Sequence, residues 1–153
     1  MAYTRHFCPE LNFVLTECTG SIDDQTLLVH FMSFRNEATG FMRIRELVDL
    51  RMLRKYDKLT VKGLIQIAQK HKELFMDKEL LSAILVNSNE YAKMAQFYAS
   101  LANSSNFQIK VFQEGIDEAL IWLGYAYEDR SKLRSFIRRR TGPVKYIQID
   151  HSS

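Results

Sequence analysis

Residues 60–86, TVKGLIQIAQKHKELFMDKELLSAILV, decide the fold of this chain, because in them a helical pattern leads directly into a strand pattern. The apolar residues of the first part lie on one helix face, at Val61, Leu64, Ile65, Ala68 and Phe75. Leu81–Val86 is a short apolar run of the kind that forms a buried strand. Thr60 precedes the first helical residue, and its hydroxyl can cap the helix. The stretch predicts a capped helix followed by a strand.

The same helix-then-strand unit recurs further along the chain. A second helical face is formed by Tyr91, Met94, Ala95, Tyr98 and Leu101. Phe107, Ile109 and Val111 then alternate with polar residues, as in a half-buried strand. Because strand, helix and strand together form a right-handed parallel crossover, this repetition predicts an α/β domain.

The N-terminal part adds a hairpin ahead of these units. Arg5–Cys8 and Phe13–Cys18 resemble strands on either side of Pro9, which cannot donate a ladder hydrogen bond, and Gly20 is expected to end the second strand. The other expected elements are a first helix that begins at Asp23 or Asp24 and stops near Gly40, a central strand over residues 42–50 and a short fourth helix over residues 116–123. The predicted fold class is therefore α/β. A mixed, mostly parallel sheet is entered by a β-hairpin and carries about four helices. A C-terminal appendage is expected to form a short helix that ends at Gly142 and Pro143 and then an extended segment over residues 144–150.

The composition is that of an ordinary folded domain. The chain has 153 residues, of which 46% are hydrophobic and 25% are charged, so disordered and fibrous classes are excluded. The apolar runs, such as Ala83–Val86, are far shorter than the roughly 18 residues that span a bilayer, and residues 1–12 lack the core of a signal peptide. A cytoplasmic location is expected. Cys8 and Cys18 are expected to be reduced, because a domain of this size needs no disulfide framework.

Positive charge is concentrated near the C-terminus. The segment Arg130–Lys145 contains seven basic residues and no acidic one. The remaining 14 basic residues face 18 acidic residues, so the rest of the chain has a net charge of 14 − 18 = −4. The sequence therefore predicts a mildly acidic body with a basic tail.

Three short stretches resemble the STAS domain, the fold of bacterial anti-sigma-factor antagonists, and in particular their uncharacterised relatives of similar length. Residues 13–23, FVLTECTGSID, are similar to the second strand of that family, which ends in a glycine and a short polar turn. Residues 46–50, ELVDL, are similar to its central strand, and residues 60–64, TVKGL, to the start of its second helix. The resemblance implies a STAS-like fold.

The likeness covers roughly residues 5–124. It implies a STAS-like domain over residues 1–124 and a basic C-terminal appendage over residues 125–153. This appendage is not expected to be a separate domain.

In the antagonists, a phosphorylatable serine lies at the start of the second helix in an Asp-Ser-Ser-Gly stretch, and its phosphorylation controls docking of a kinase partner. Placing Gly63 on the family glycine puts Thr60, Val61 and Lys62 where Asp, Ser and Ser would stand. The switch serine is therefore absent, and Lys62 replaces it. Thr60 is a candidate phosphorylation site, since phosphate is tolerated at a helix N-terminus, although capping alone accounts for its position. The expected partner-binding residues are Asp57, Lys58, Thr60, Lys62 and Gly63.

The sequence contains no catalytic or metal-binding constellation, and no cofactor is expected. His6 and Cys8 have the spacing of two zinc ligands on one strand face, but no further ligands lie near them. Neither a Gly-x-Ser-x-Gly elbow nor a phosphate-binding glycine loop is present. Asp49, at the end of the central strand, is placed for acid or base chemistry, but an ion pair with Arg51 is the commoner arrangement.

The leading interpretation is a non-catalytic cytoplasmic module of STAS-like type that binds a protein partner in bacterial regulation. The alternative is a small-molecule or lipid carrier, because CRAL-TRIO lipid-transfer domains share this topology and the methionine and aromatic residues can line a pocket. The aromatic residues in question are Tyr91, Phe97, Tyr98, Phe107 and Trp122, for which core packing is the simpler explanation. An enzyme has no supporting residue set.

The basic tail suggests weak, salt-sensitive binding to polyanions through Arg134, Arg138, Arg139 and Arg140. Phe136 and Tyr146 are candidate stacking groups beside these arginines. The competing interpretation is a solvated helix end, where arginines interact favourably with the helix dipole. A homo-oligomer is compatible with the sequence, whereas a membrane-spanning protein is not expected.

Overall fold

The computed structural model describes residues 3–113 and 115–152, with side chains for residues 3–56, 58–113 and 115–140. Its centre is a five-stranded sheet whose strands lie side by side in chain order. The strands are β1 Tyr3–Cys8, β2 Phe13–Asp23, β3 Arg43–Lys58, β4 Glu79–Leu85 and β5 Phe107–Phe112. The helices are α1 Asp24–Glu37, α2 Val61–Leu74, α3 Asn89–Ala102, α4 Ile116–Trp122 and α5 Tyr127–Ser152.

The strand directions confirm the predicted mixed sheet. β1 pairs with β2 in antiparallel orientation, and β2, β3, β4 and β5 are parallel neighbours. Each of α1, α2 and α3 connects one parallel strand to the next. Because all three crossovers step in the same direction and crossovers are right-handed, these helices lie together on one face. The α/β prediction, including the entry through a hairpin, is confirmed.

The alternation of side chains along the strands divides the core into two parts. On β2, Val14 belongs to the core under α1, α2 and α3, whereas Phe13 and Leu15 belong to the core under α4 and α5. In the second core, Leu120 of α4 and Leu133 of α5 are completely buried. The sheet is therefore covered on both faces, which explains the nearly continuous apolar run in its central strand.

The C-terminal appendage differs in part from its prediction. Helix α5 continues through Gly142 and Pro143 to Ser152, so the extended segment expected after Pro143 is wrong. A strand needs a neighbouring sheet edge for its backbone groups, whereas a helix satisfies most of them internally. The first part of α5 packs on the sheet through Leu133, Phe136 and Ile137.

The second strand also extends beyond its predicted end at Gly20. Gly20 has a φ of +76°, a left-handed conformation that glycine adopts without strain, and the register with β3 shifts on its C-terminal side. The strand then continues to Asp23, which lies opposite Lys58 of β3. β2 and β3 therefore pair beyond the last partner of β4 at Leu85, and they end next to each other.

Candidate functional site

Helices α1 and α2 begin side by side, because each follows directly from one of the two strands that end together. Asp23 caps α1: its Oδ1 accepts a hydrogen bond from the Thr26 backbone N–H at 2.8 Å, and its own N–H donates to Thr26 Oγ1 at 3.0 Å. The backbone bond from Thr26 is the main cause of the lowered pKa of Asp23. Thr60 caps α2, since its Oγ1 accepts from the Gly63 backbone N–H at 2.9 Å. The predicted cap at Thr60 is confirmed.

The carboxylate of Asp24 connects the two helix starts. The Thr60 backbone N–H donates to Asp24 Oδ1 at 3.0 Å, and the Thr60 hydroxyl donates to Asp24 Oδ2 at 2.7 Å. A Cβ atom on Gly63 would overlap this carboxylate. Glycine in a helix costs about 1 kcal/mol relative to alanine, and here it leaves the space that the neighbouring carboxylate occupies.

The structure brings only some of the predicted partner-binding residues together. Thr60 and Gly63 both contact Asp24, whereas Lys58 and Lys62 are exposed and form no ion pair within 4.0 Å with any side chain the structure describes. Asp57 lies in the last part of β3, and its side chain lies outside the described residues. Asp23 and Asp24 thus accept hydrogen bonds at the helix starts, and the two lysines are exposed beside them.

A groove between α2 and α3 adjoins these lysines, and the sequence patterns did not reveal it. Its walls are Tyr56, Leu59, Val61, Leu64, Glu90, Lys93, Met94 and Phe97. The Tyr56 hydroxyl donates to Glu90 Oε1 at 3.0 Å, so the acidic residue of the groove has a partner. Lys93, three residues after Glu90 on α3, is exposed.

Two residues beside this groove were expected to be buried. Val61 is 63% exposed and Ile65 is 49% exposed, although both fit the apolar face predicted from spacing. The buried stripe of α2 instead passes through Leu64, Ile67, Ala68 and His71. The helix is therefore rotated by a fraction of a turn relative to the predicted face, and this rotation exposes apolar side chains beside Lys62.

The basic residues of α5 are placed in different ways. Arg134 pairs with Asp117 of α4 and also donates to Ser131 Oγ at 3.0 Å. Arg140 lies over the Phe136 ring, 3.9 Å from its centroid. Arg138 and Arg139 are exposed.

The two predicted stacking groups beside these arginines have different outcomes. Phe136 is buried against Phe13, with ring centroids 6.0 Å apart, so it is not free to stack on a ligand. The Tyr146 side chain lies outside the described residues.

Among the described residues, the side chains considered for acid–base chemistry or metal binding have ordinary polar contacts. Arg51 forms a bidentate ion pair with Asp49, with both nitrogen–oxygen distances at 3.0 Å. His6 lies 3.4 Å from Glu17 Oε1. Among the described residues no group of three or more histidine, cysteine or acidic side chains is arranged to hold a metal ion.

A buried carboxyl group in the central strand is a feature that sequence reasoning missed. Glu46 is 2% exposed on the face covered by α1, α2 and α3. Thr16 Oγ1 donates to Glu46 Oε2 at 2.6 Å, and Ser82 Oγ donates to Glu46 Oε1 at 2.9 Å. Burial raises the pKa of Glu46, and these two hydrogen bonds oppose the rise. The sequence contained a signal for this burial, because Glu46 lies inside a strand that is covered on both faces.

A second buried polar pair lies above the same face of the sheet. His71 Nδ1 is 2.8 Å from the Tyr98 hydroxyl, and the His71 ring stacks on Phe31 with centroids 3.6 Å apart. His71 is 3% exposed, and its Nε2 has no hydrogen-bond partner among the described atoms. Burial lowers the pKa of His71 well below its usual value, so the imidazole is neutral. The predicted core position of Tyr98 is confirmed, whereas Phe97 is partly exposed.

Comparison with known proteins places this geometry in a known fold. No protein-family model matches the chain, and no curated protein matches it. An uncharacterised protein of the DUF3478 family with a SpoIIAA-like fold, from Shewanella loihica PV-4, is similar in structure with a TM-score of 0.52 and 16% identity, covering 80% of this chain and 92% of that protein. The unphosphorylated anti-sigma factor antagonist SpoIIAA is similar with a TM-score of 0.48 and 11% identity, covering 81% of this chain and all of that protein.

The chain thus has the STAS-like, SpoIIAA-like fold that its sequence predicts. None of its described helices combines the length and apolar character needed to cross a membrane.

Proposed function

We propose that this chain is a non-catalytic regulatory module of the bacterial cytoplasm that acts by binding an acidic segment of a protein partner. The contact is formed by a docking surface at the start of α2 and along the groove between α2 and α3. We define the docking surface as Lys58, Val61, Lys62, Ile65, Lys93 and Phe97. The STAS-like fold supports a role as a regulatory module.

The observation that carries the proposal is the combination of exposed apolar side chains with neighbouring exposed lysines. Val61 and Ile65 remain exposed beside Lys62, although each apolar side chain removed from water would stabilise a complex by roughly 1.5–3 kcal/mol. Lys58 and Lys62 form no ion pair within 4.0 Å with a described side chain, although Asp23 lies opposite Lys58 in the sheet. An acidic partner segment with apolar residues complements both properties.

The remaining predicted residues belong to the same proposal. We propose that Asp57, Thr60 and Gly63 form the edge of the docking surface at the start of α2. Phosphorylation of Thr60 would place a dianion next to the Asp24 carboxylate, so we propose that it would weaken the contact between the helix starts. Mass spectrometry of the Thr60 peptide from the native cell tests for this modification, and an unmodified peptide under all growth conditions argues against it.

The docking surface can be tested by affinity capture with matched variants of the full chain. The double variant Val61→Asp/Ile65→Asp places charge within the surface, whereas Ile121→Asp changes an equally exposed apolar residue of α4 on the other face of the sheet. The expected result is a protein that copurifies with the wild type and with Ile121→Asp but not with the double variant.

Binding is then measured with the purified partner. We expect the double variant to raise Kd at least tenfold, which corresponds to about 1.4 kcal/mol. Lys62→Glu should weaken binding more at low salt than at high salt, and Lys132→Glu on α5 should leave it unchanged. Equal affinities for the wild type and the double variant would refute the proposed surface.

A further inference from the structure

The two edge strands of the sheet, β1 and β5, differ in how their outer sides are occupied. On β5, the Ile109 backbone N–H donates to Asn103 Oδ1 at 2.7 Å, and Phe107 exchanges two backbone hydrogen bonds with Ser104. These contacts use backbone groups that a further strand would need. The turn that precedes β5 therefore protects this edge against pairing with another chain.

The outer backbone groups of β1 can be identified from the pairing of β2. In the ladder between β2 and β3, the Arg45 backbone N–H donates to the Asn12 carbonyl at 2.9 Å. Successive residues of a strand direct their backbone groups to opposite sides, so every second residue of β2 faces β1. These residues are Phe13, Leu15 and Glu17, which lie opposite Cys8, His6 and Thr4. The other residues of β1, namely Tyr3, Arg5 and Phe7, therefore direct their backbone groups away from the sheet.

The outer side of β1 is open. Among the residues that the structure describes, none forms a hydrogen bond with the outward backbone groups of this strand. Edge strands are commonly protected by lysine or proline, and Tyr3–Cys8 contains neither. The charge of Arg5 is compensated, because its guanidinium donates to both Glu37 carboxylate oxygens at 2.8 and 2.6 Å. A second strand can therefore approach without meeting an unpaired charge.

A groove between this edge and α1 has an uncharged helical wall. The side chains of that wall are Gln25, Thr26, Val29 and Ser33, and Tyr3 and Arg5 line the groove from β1. Val29 is 52% exposed. Two copies of such a helix face can approach each other, because no like charges meet and the exposed valine is removed from water.

We propose that two copies of this chain pair through their β1 edges in antiparallel orientation and form a dimer whose sheet is continuous across both copies. Because Tyr3, Arg5 and Phe7 carry the outward groups, full overlap about a two-fold axis places Arg5 opposite Arg5 of the second copy. Tyr3 then lies opposite Phe7, and Thr4 lies opposite His6.

These oppositions suit a second copy of the same strand. Tyr3 and Phe7 form an aromatic cross-strand pair, and the Thr4 hydroxyl meets the His6 imidazole. The two Arg5 side chains do not repel strongly, since each is bonded to Glu37 of its own copy. The strand therefore complements itself in this register.

The assembly stops at two copies, because each chain has one open edge and β5 is covered. The docking surface lies on α2 and α3, which α1 separates from the β1 edge. A dimer would thus carry two free docking surfaces. The inference does not depend on the proposed protein partner.

Sedimentation equilibrium of the full chain from micromolar to millimolar concentration tests the proposal. The expected mass rises from the 17.9 kDa of one chain to twice that value and no further. Val29→Glu should raise the dimer Kd about tenfold or more, because each copy then places a carboxylate at the interface. Met32→Glu is the control, since Met32 is 46% exposed on the same helix but does not line the groove.

Disulfide trapping tests the register of the two strands. Thr4→Cys and His6→Cys are prepared separately in a Cys8→Ser background, and Cys18 is left in place because it is buried. Oxidation of an equal mixture should link the two variants, since opposite residues of such a pair have Cα atoms about 4.5 Å apart. Each variant alone should remain largely unlinked.

Three results would overturn the proposal. The first is a mass of one chain at every concentration, which would leave the β1 edge to a strand of another protein. The second is a dimer that Val29→Glu and Met32→Glu affect equally. The third is a mixture that forms no more disulfide-linked dimer than either cysteine variant alone.

Discussion

At the scale of single residues, the junction between α1 and α2 depends on the Asp24 carboxylate and on the space that Gly63 leaves for it. The carboxylate accepts two hydrogen bonds from Thr60. Each such bond contributes roughly 0.5–1.5 kcal/mol to the free energy of unfolding. A side chain on Gly63 would displace the carboxylate and break both bonds.

The substitution Gly63→Ala tests this arrangement. In an unobstructed helix it would raise the free energy of unfolding by up to about 1 kcal/mol. Here we expect a decrease of about 1 kcal/mol, because the loss of the Asp24 bonds outweighs the gain in helix propensity. In an Asp24→Ala background the sign should reverse, and urea denaturation of the four proteins measures both effects. A stabilising Gly63→Ala in both backgrounds would contradict the proposed contact.

Introducing a charge at Thr60 tests the effect expected of phosphate at that position. Thr60→Asp and Thr60→Asn both keep a side chain that caps α2, but only aspartate places a second carboxylate beside Asp24. We expect Thr60→Asp to be less stable than Thr60→Asn by roughly 1 kcal/mol at low salt. The difference should shrink in high salt and in an Asp24→Asn background. Equal stabilities of the two variants at low salt would show that charge at this position does not disturb the junction.

The two contacts of Thr60 show what could be predicted from local sequence. Its capping bond to Gly63 joins residues three apart, and the hydroxyl before an amphipathic helix was sufficient to predict it. The bond to Asp24 joins residues 36 apart. It depends on β2 and β3 ending together, which requires a register that the local pattern does not contain.

At the scale of elements, apolar spacing predicted that α2 is amphipathic but not the orientation of its buried face. Val61 and Ile65 share the spacing of Leu64 and Ala68, yet they lie on the exposed side. The orientation is set by contacts with α1 and α3, for example the stacking of His71 on Phe31. His71 was not counted as an apolar residue in the sequence pattern, so the predicted apolar face was shifted toward Ile65.

Helix α5 carries the basic residues whose affinity for polyanions we predict. Removing the whole helix is not a clean test, because Leu133 and Phe136 cover the second face of the sheet. The double variant Arg138→Glu/Arg139→Glu changes only exposed side chains. We expect it to elute from heparin at clearly lower salt than the wild type, because two contacts with the polyanion are lost.

A control for charge alone is available on α2. Lys70→Glu/Lys72→Glu gives the same change in net charge at a distance from the α5 arginines. It should elute at a salt concentration close to that of the wild type. If the salt concentration of elution falls equally for both double variants, the binding reflects net charge rather than the α5 arginines.

At the scale of the whole molecule, periodicity was sufficient to predict the order of strands and helices, because each element has a distinct apolar spacing. The polar groups inside the first core could not be predicted in the same way. Glu46 is satisfied by Thr16 and Ser82, which lie 30 and 36 residues away on the neighbouring strands. Only the assembled sheet brings these three side chains together.

The buried polar groups determine how the stability of the molecule varies with pH. Burial lowers the pKa of His71, and burial together with Arg5 lowers that of His30 to about 3. The lowered pKa of each histidine therefore contributes stability to the folded state. This contribution is fully present above their usual pKa of 6.5 and is lost as the pH falls. Glu46 acts in the opposite direction, because its raised pKa favours the folded state below the usual value of 4.5 and this contribution is lost as the pH rises.

Between pH 4.5 and 6.5 the unfolded chain therefore binds more protons at the two histidines than the folded chain does, whereas the folded chain binds more at Glu46 below the raised pKa of that group. The histidines make the free energy of unfolding rise toward neutral pH, and Glu46 reduces this slope in the acidic part of the range. Glu46→Gln keeps a neutral side chain at this position and removes the opposing contribution. We expect the free energy of unfolding of Glu46→Gln to rise more steeply with pH than that of the wild type in the acidic part of the range, because only the histidines remain.

Urea denaturation of the wild type and Glu46→Gln across this pH range measures the difference directly, since the contributions of all other groups cancel. Glu118 on α4 is exposed, so the free energy of unfolding of Glu118→Gln should vary with pH as that of the wild type does. Parallel curves for the wild type and Glu46→Gln would mean that Glu46 ionises in the folded protein as it does in the unfolded chain.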